Sequence, residues 1–192
     1  MIFDESGYYT GPQLTEEMVR RAEERLGCTL PASYLALLRV RNGGRPVRRC
    51  YRTPFATTWA PDHFEIEAIL GIGGRWGIDS DEVISSPAMI EEWGYPMIGV
   101  VICEMPSAGH DAVMLDYSGG GPEPAVVYVD EDRAPRRIAP SFASFLEGLS
   151  SHADLGVNDD HGTPEGYTWH HDQRRRGVMQ LVDREVHRAT GH

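Results

Sequence analysis

The chain has 192 residues, of which 41% are hydrophobic and 24% are charged, and its formal net charge at pH 7 is −11. This composition is typical of a globular protein and excludes a wholly disordered chain. All 18 basic residues are arginine, which excludes chemistry that needs a lysine, such as a Schiff base or a Walker-type phosphate loop. The acidic balance also argues against general nucleic-acid binding.

The N-terminal residues include acids where a signal peptide has basic residues, and no stretch approaches the roughly 18 apolar residues of a membrane helix. Three scattered cysteines, Cys28, Cys50 and Cys103, form no C-x-x-C pair. They therefore indicate neither a disulfide framework nor a zinc knuckle. We expect a cytoplasmic protein that does not bind to membranes and needs no cofactor.

Two short helices are predicted at the front of the chain. The first begins after Thr15, a favourable N-cap, and ends at Gly27, which suits the left-handed residue after a helix. The second begins at Pro31, whose fixed φ suits a first turn, and has Leu38 and Val40 on its apolar side. Together they predict a pair of helices joined by a tight corner.

The middle of the chain reads as extended segments. Apolar and β-branched residues predict strands over residues 47–55 and 64–70, followed by a glycine-rich loop. A short helix over residues 86–93 comes next. The nearly unbroken apolar run over residues 97–103 then predicts a central strand.

Two further strands, over residues 112–117 and 125–130, flank a glycine-rich turn and predict an antiparallel hairpin. Ser141 then caps an amphipathic helix whose apolar positions reach Leu149. Helices followed by a run of strands and a further helix predict an α+β fold with an antiparallel sheet, not βαβ winding.

The composition changes after this helix, so we assign residues 1–150 to the domain and residues 151–192 to an appended extension. Six of the 8 histidines lie in the extension. A polar linker over residues 154–167 precedes apolar residues at helical spacing, which predict a C-terminal amphipathic helix over residues 178–189. The histidines lack the spacing of a zinc motif, so a solvated loop is favoured over a metal site.

Charge is segregated along the chain. Six arginines crowd residues 39–52, whereas residues 53–132 contain fifteen acids and one arginine. The acidic stretch is typical of a surface that attracts a basic protein partner, including a nuclease whose nucleic acid it would mimic. An ordinary solvated surface is the alternative. The arginines suit phosphate, but pairing with the chain's own acids is favoured.

The predicted partner-binding residues are one tryptophan in a glycine-rich loop and four nearby acids: Trp76, Asp79, Glu82, Glu91 and Glu92. Tryptophan is enriched among the residues that dominate binding energy, and Trp76 is the tryptophan that we expect to be exposed. Burial in the core is the alternative for each tryptophan.

His110, Asp111 and Asp116 form the one constellation that suggests catalysis, as a general base or as metal ligands. Neighbours on a strand point to opposite faces, so His110 and Asp111 do not easily converge on one substrate atom. We therefore expect structural hydrogen bonds, no catalytic residue and no metal site. A metal-dependent hydrolase that uses His110, Asp111 and the histidines of the extension is the less favoured alternative.

Seven short motifs follow one another along the chain: LGCTLPASY at 26–34, RNGG at 41–44, ILGIG at 69–73, MIEEWGYP at 89–96, GHDAVMLDY at 109–117, VVYVD at 126–130 and SFASFL at 141–146. In this order they resemble the SUKH superfamily, which includes fungal regulators of cell-wall synthesis and many bacterial immunity proteins. The resemblance covers residues 13–149. Within its motifs, Gly43, Gly44, His110, Asp111 and Asp116 are interpreted as structural residues.

The resemblance implies a twisted, mainly antiparallel sheet flanked by helices, which agrees with the predicted order of elements. It also implies a protein-binding role without a shared catalytic mechanism. Our first hypothesis is a bacterial immunity protein that neutralises a cognate toxin by stoichiometric binding. An intracellular regulatory scaffold is the alternative. The resemblance does not account for the histidine-rich extension.

Overall fold

The computed structural model describes residues 2–81, 84–107, 109–121 and 123–156, and the backbone of two strands at 167–171 and 179–183. Its helices are α1 (Glu16–Leu26), α2 (Ala32–Val40), α3 (Ser86–Trp93), α4 (Phe142–Gly148) and α5 (His152–Leu155). Its strands are β1 (Cys50–Arg52), β2 (His63–Glu65), β3 (Ala68–Ile69), β4 (Gly99–Val101), β5 (Cys103–Glu104), β6 (Ala112–Asp116), β7 (Ala125–Val129), β8 (Pro135–Ala139), β9 (Leu149–Ser150), β10 (Tyr167–His171) and β11 (Met179–Asp183).

The strands pair antiparallel throughout the described residues. One sheet has the order β4-β6-β7-β8 and a second has the order β2-β1-β9, while β3 pairs with β5 and β10 with β11. The predicted hairpin is confirmed, because β6 and β7 pair in register from Ala112↔Val129 to Asp116↔Ala125. Helices and antiparallel sheets together confirm the predicted α+β class.

The ends of the first helix are confirmed at both predicted residues. The Thr15 side chain accepts a hydrogen bond from the amide of Met18, and Gly27 adopts the left-handed conformation that ends α1. The second helix differs in one respect: Val40, predicted on its apolar side, is 84% exposed. No helix of the described residues is long and apolar enough to cross a membrane.

Two long predicted strands are each divided. The segment 64–70 forms β2, which pairs with β1, and then β3, which pairs with β5. The segment 97–103 forms β4 and β5, and β4 lies at the edge of its sheet, so the prediction of a central strand is wrong. The edge is covered because the amide of Val101 donates to the Ser86 hydroxyl of α3 at 2.8 Å.

The predicted C-terminal helix is wrong where the structure describes it. Residues Met179–Asp183 form β11, which pairs antiparallel with β10 and places Leu181 opposite Trp169. The apolar spacing of so short a segment suits either a helix or a strand, and the aromatic partner strand decides between them. The rest of the predicted helix, residues 184–189, lies outside the described residues, as does most of the predicted linker.

An aromatic stack lies in the core where the two larger sheets approach each other. The rings of Phe64 and Tyr128 are stacked with centroids 4.7 Å apart, and Tyr51 lies 5.6 Å from Phe64 and 5.2 Å from Phe145. The stack therefore joins β1, β2, β7 and α4. Offset aromatic pairs of this kind contribute about 0.5–1.5 kcal/mol each beyond their buried area.

Candidate interaction surface

Helix α3 presents two of the predicted partner-binding residues to solvent. Glu91 and Glu92 are both exposed, and neither side chain forms an ion pair or hydrogen bond with another described residue. Met97, shortly after the helix, is 92% exposed. The helix is attached to the domain, because Met89 is buried and the Ser86 amide donates to the Ile78 carbonyl at 2.9 Å. The helix therefore holds two unpaired carboxylates on a rigid base.

Trp76 lies close to this helix in sequence and is half-buried, so it is less exposed than expected, and its role as a partner anchor stays a prediction. Its ring packs 4.8 Å from the ring of Tyr9 and 5.5 Å from that of Tyr8. The guanidinium of Arg75 lies 4.8 Å above the same indole. Tyr8, which is 43% exposed, is a surface residue that the sequence analysis missed. The pattern that could have indicated this aromatic surface is the pair of adjacent tyrosines, Tyr8 and Tyr9, directly after Gly7.

The other two predicted acids have different settings. Asp79 is half-buried and accepts a hydrogen bond from the amide of Gly73 at 2.6 Å, so it holds the glycine-rich loop in shape. Glu82 lies outside the described residues. Of the four predicted acids, Glu91 and Glu92 are therefore the ones that the structure describes as available to a partner.

The arginine-rich segment is largely paired within the chain. Arg49 lies 3.0 Å from Glu65 and 3.3 Å from Glu67, and Arg45 also pairs with Glu67. His152 of α5 contacts Glu65 at 3.2 Å and extends this network to the end of the domain. Both glutamates are nearly buried, so a partner meets fewer free acids and arginines than the sequence suggests. These contacts agree with internal pairing in preference to a phosphate site.

The residues of the suspected catalytic constellation point apart. His110 Nδ1 lies 3.2 Å from a carboxylate oxygen of Glu131, whereas the carboxylate of Asp111 accepts from the hydroxyls of Ser107 and Tyr128. Asp116 accepts from the amide of Ser118 at 2.8 Å. All three side chains make local contacts within the domain, and their interpretation as structural residues stays a prediction.

Two sequence motifs meet around Gly109. The phenol of Tyr95 donates to the carbonyls of Gly109 and Asp111, each at 2.8 Å. Gly109 has a φ of +95° and lies directly against the indole of Trp93, which leaves no room for a Cβ atom. The WGYP and GHD segments are therefore two halves of one packed joint between α3 and β6.

A second joint involves Gly43 and Gly44. The buried side-chain amide of Asn42 donates to the carbonyls of Pro12 and Ile72, and its oxygen accepts from the amide of Ile72. Gly44 pairs with Ile69 through two hydrogen bonds of 3.0 Å. A Cβ at Gly43 would lie 2.8 Å from the amide nitrogen of Gly71, so the backbones of the RNGG and ILGIG motifs pack directly against each other.

No group of three or more histidine, cysteine, aspartate or glutamate side chains in the described part of the chain is arranged to hold a metal ion. The backbone of His170 and His171 belongs to β10, and the remaining histidines of the extension beyond residue 156 lie outside the described residues. The histidine-rich extension and the domain therefore call for separate functional explanations.

Comparison with known proteins found two family models that match different parts of the chain. A family model described as the SMI1 / KNR4 family (SUKH-1) matches residues 13–148, which confirms the resemblance inferred from the motifs. A second family model, described as a nuclease of the HNH/ENDO VII superfamily with conserved WHH, matches residues 160–192. The sequence analysis noted His170 and His171 but missed that Trp169 before them completes a motif. No curated protein matches the chain.

Proposed function

The chain belongs to the SMI1 / KNR4 family (SUKH-1), and from this premise we propose that it is an immunity protein that neutralises a toxin by stoichiometric binding. Members of this family generally bind protein partners. The mechanism that we propose is occlusion of the toxin's active surface, for which the domain needs no catalytic residue. We further propose that it acts in the cytoplasm, and its free cysteines are in keeping with a reducing compartment.

The unpaired carboxylates of α3 are the observation that carries this proposal. Glu65 and Glu67 are neutralised by arginines, whereas Glu91 and Glu92 are exposed without a charged partner among the described residues. Carboxylates on a rigid helix favour a basic partner and raise the rate of encounter with it. Met97, which follows α3 closely in the sequence and is 92% exposed, adds apolar surface of the kind found at interfaces.

We propose a nuclease as the toxin class. A nuclease must present a basic surface to nucleic acid, and an acidic helix competes for such a surface by charge. The extension of this same chain matches a nuclease family, which supports a functional link between the domain and nucleases of that kind. A regulatory scaffold is the alternative for the domain.

The first prediction concerns the charge of α3. We expect the double variant Glu91→Arg, Glu92→Arg to bind a WHH-type nuclease toxin about 10- to 1000-fold more weakly, because two attractive contacts become repulsive. Isothermal titration of the purified toxin with the full chain would give the affinity and a one-to-one stoichiometry, and nuclease assays would give the inhibition.

Glu147→Arg provides the matched control, since Glu147 is exposed on α4 and the change adds the same type of charge elsewhere. This variant should keep its affinity within about threefold. Equal weakening by both changes would show a general charge effect. Binding that is insensitive to salt between low and physiological ionic strength would contradict the electrostatic part of the proposal. Capture of regulatory proteins without inhibition of any WHH nuclease would favour the scaffold.

A second candidate function is nuclease activity in the extension itself. It is favoured by the match over residues 160–192 and by the hairpin in which β10 carries Trp169, His170 and His171 opposite β11. Histidines supply imidazoles that suit a general base or a divalent metal. This candidate replaces the earlier hydrolase hypothesis, because His110 is engaged with Glu131 and does not join the extension's histidines in a described site.

We expect the full chain, if this second candidate holds, to cleave plasmid DNA or RNA in the presence of Mg²⁺, Mn²⁺, Ni²⁺ or Zn²⁺ and to stop when EDTA is added. His170→Ala and His171→Ala should each lower the cleavage rate at least about 100-fold, as loss of a general base or ligand does. His110→Ala is the control and should keep the rate. Cleavage that survives both extension variants would assign the activity to a contaminant and contradict the candidate.

A further inference from the structure

Asp111 is a buried carboxylate held by neutral groups. Its side chain lies at the entrance to β6, with 2% of the residue exposed. One carboxylate oxygen accepts from the Ser107 hydroxyl, and the other accepts from the phenol of Tyr128 at 2.8 Å. None of the ion pairs among the described residues includes Asp111. A buried carboxylate without a cation is costly unless it takes up a proton.

The charged and titratable groups around Asp111 are directed elsewhere. Arg133 donates to the backbone carbonyl of His110 at 3.2 Å, and its guanidinium lies over the ring of Tyr95. The phenol of Tyr95 donates to backbone carbonyls, including that of Asp111. The imidazole of His110 contacts Glu131. The negative charge of Asp130, at the end of β7, disfavours a second negative charge on Asp111.

A hydrogen-bonded chain connects this carboxylate to the surface. The Tyr128 hydroxyl that donates to Asp111 lies 3.2 Å from the hydroxyl of Thr58. Thr58 belongs to the segment 53–62, whose residues 56–58 line an open cleft of about 480 Å³ together with residues 130–132. The segment is therefore attached to the sheet through the Tyr128 hydroxyl, and this hydroxyl also donates to the buried carboxylate of Asp111.

Burial raises the pKa of Asp111 to about 6, although the hydrogen bonds from Ser107 and Tyr128 oppose the rise. The folded protein thus prefers the protonated carboxyl more strongly than the open or unfolded chain does. The resulting stabilisation is complete at pH values below the ordinary pKa of an aspartate. This stabilisation is lost progressively as the pH rises through about 6, because the ionised carboxylate is better hydrated when the structure opens.

We propose that Asp111 is a pH-responsive element of the domain: ionisation of its buried carboxyl group favours opening of the segment 53–62, which Thr58 and Tyr128 attach to it, and so changes the cleft. The protonated carboxyl group of Asp111 carries no buried charge, and its own O–H then donates to the hydroxyl oxygen of Ser107 or of Tyr128, which becomes the acceptor. Ionised Asp111 accepts both hydrogen bonds, but its buried charge is fully solvated only when water reaches it. This inference does not depend on the proposed partner, and the two fail separately.

Hydrogen exchange of the full chain at pH 5 and pH 8 tests the proposal, with protection factors corrected for the intrinsic rates. The amides of Thr53 and Thr57 are hydrogen-bonded within the segment, to Asp62 and Ala60, and report its opening. We expect the opening constant to rise about tenfold between the two pH values in the wild-type chain. In Asp111→Asn, which keeps an acceptor without the charge, the constant should not change with pH.

Asp116→Asn is the matched control, because Asp116 lies at the far end of β6 from Asp111 and its replacement should leave the pH dependence as it is. An equal rise in Asp111→Asn and the wild-type chain would overturn the proposal. Should Asp111→Asn not fold, Tyr128→Phe decides by urea unfolding across pH 5 to pH 8. Loss of the phenol donor should move the midpoint of the pH-dependent change to higher pH, and an unchanged midpoint would overturn the proposal.

Discussion

Replacement of Gly109 with alanine should destabilise the domain by about 3–5 kcal/mol. The φ of +95° is strained for a residue with a Cβ atom, which costs about 1–3 kcal/mol. The new methyl group would also overlap the indole ring of Trp93, and overpacking of this kind costs about 1–3 kcal/mol more. Urea unfolding followed by tryptophan fluorescence would measure the loss.

Gly119→Ala is the control for this change. Gly119 lies in the turn between β6 and β7, and no atom of another part of the chain lies within 4 Å of the position its Cβ would take. Its stability should stay within about 1 kcal/mol of the wild-type value. If the two glycine variants are equally stable, the packed joint between the WGYP and GHD motifs is contradicted.

The second large effect is expected at Asn42, which is 3% exposed. Asn42→Ala removes three side-chain hydrogen bonds and leaves the amide of Ile72 and the carbonyls of Pro12 and Ile72 without those partners. Each buried polar group left unsatisfied costs about 1–3 kcal/mol, so we expect a loss of about 3–5 kcal/mol. Thermal and urea unfolding of the purified chain would measure it.

Gln13→Ala is the matched control for Asn42, because Gln13 is an exposed amide side chain next to Pro12. Its free energy of unfolding should change by less than about 0.5 kcal/mol. Asn42→Asp gives a further comparison, since it keeps the shape and the acceptor but removes the two donor contacts. A stable Asn42→Ala variant would mean that the N-terminal segment and the ILGIG loop are not joined through this residue.

The two joints explain why the family motifs lie far apart in the chain. Asn42 and Gly43 pack against the loop at Ile72, and Trp93 and Tyr95 pack against Gly109. Each of these two pairs of motifs combines a glycine that allows close approach with a polar side chain that satisfies the facing backbone. The motifs are therefore paired parts of a scaffold, and the exposed carboxylates of α3 lie outside their contacts.

Local chemistry was sufficient for part of the fold. The cap at Thr15 and the glycine at the end of α1 depend on neighbouring residues in the same segment, so both were predicted correctly. The β6–β7 hairpin likewise follows from two apolar runs and the turn between them. The predicted strand 64–70 changes from one sheet to another at Ile66 and Glu67. The composition of this segment does not indicate the change, because the partner strands lie elsewhere in the chain.

The candidate surface divides in the same way. Exposure of Glu91 follows from helical spacing, because it lies on the side of α3 away from the buried Met89. Glu92, three residues after Met89, is placed near the buried side by spacing alone, and its exposure was decided by the tertiary structure. The packing of Trp76 on Tyr8 and Tyr9 was not predictable, since almost seventy positions separate them in the sequence. The neutralisation of Glu67 by Arg45 and Arg49 was foreseen only as a general tendency, and the particular pairs come from the meeting of β1 with the β2–β3 connection.

The sequence by itself determined the α+β class, the helix ends at capping residues, the central hairpin and the family to which residues 13–148 belong. Tertiary structure decided which acids are free, where the aromatic rings lie, how the long apolar runs divide and that residues Met179–Asp183 form a strand opposite Tyr167–His171. The physical reason is the separation in sequence between the residues that make each contact. Caps and turns are fixed by contacts within a few residues, whereas burial, ion pairing and strand partnership depend on segments that meet only when the whole chain has folded.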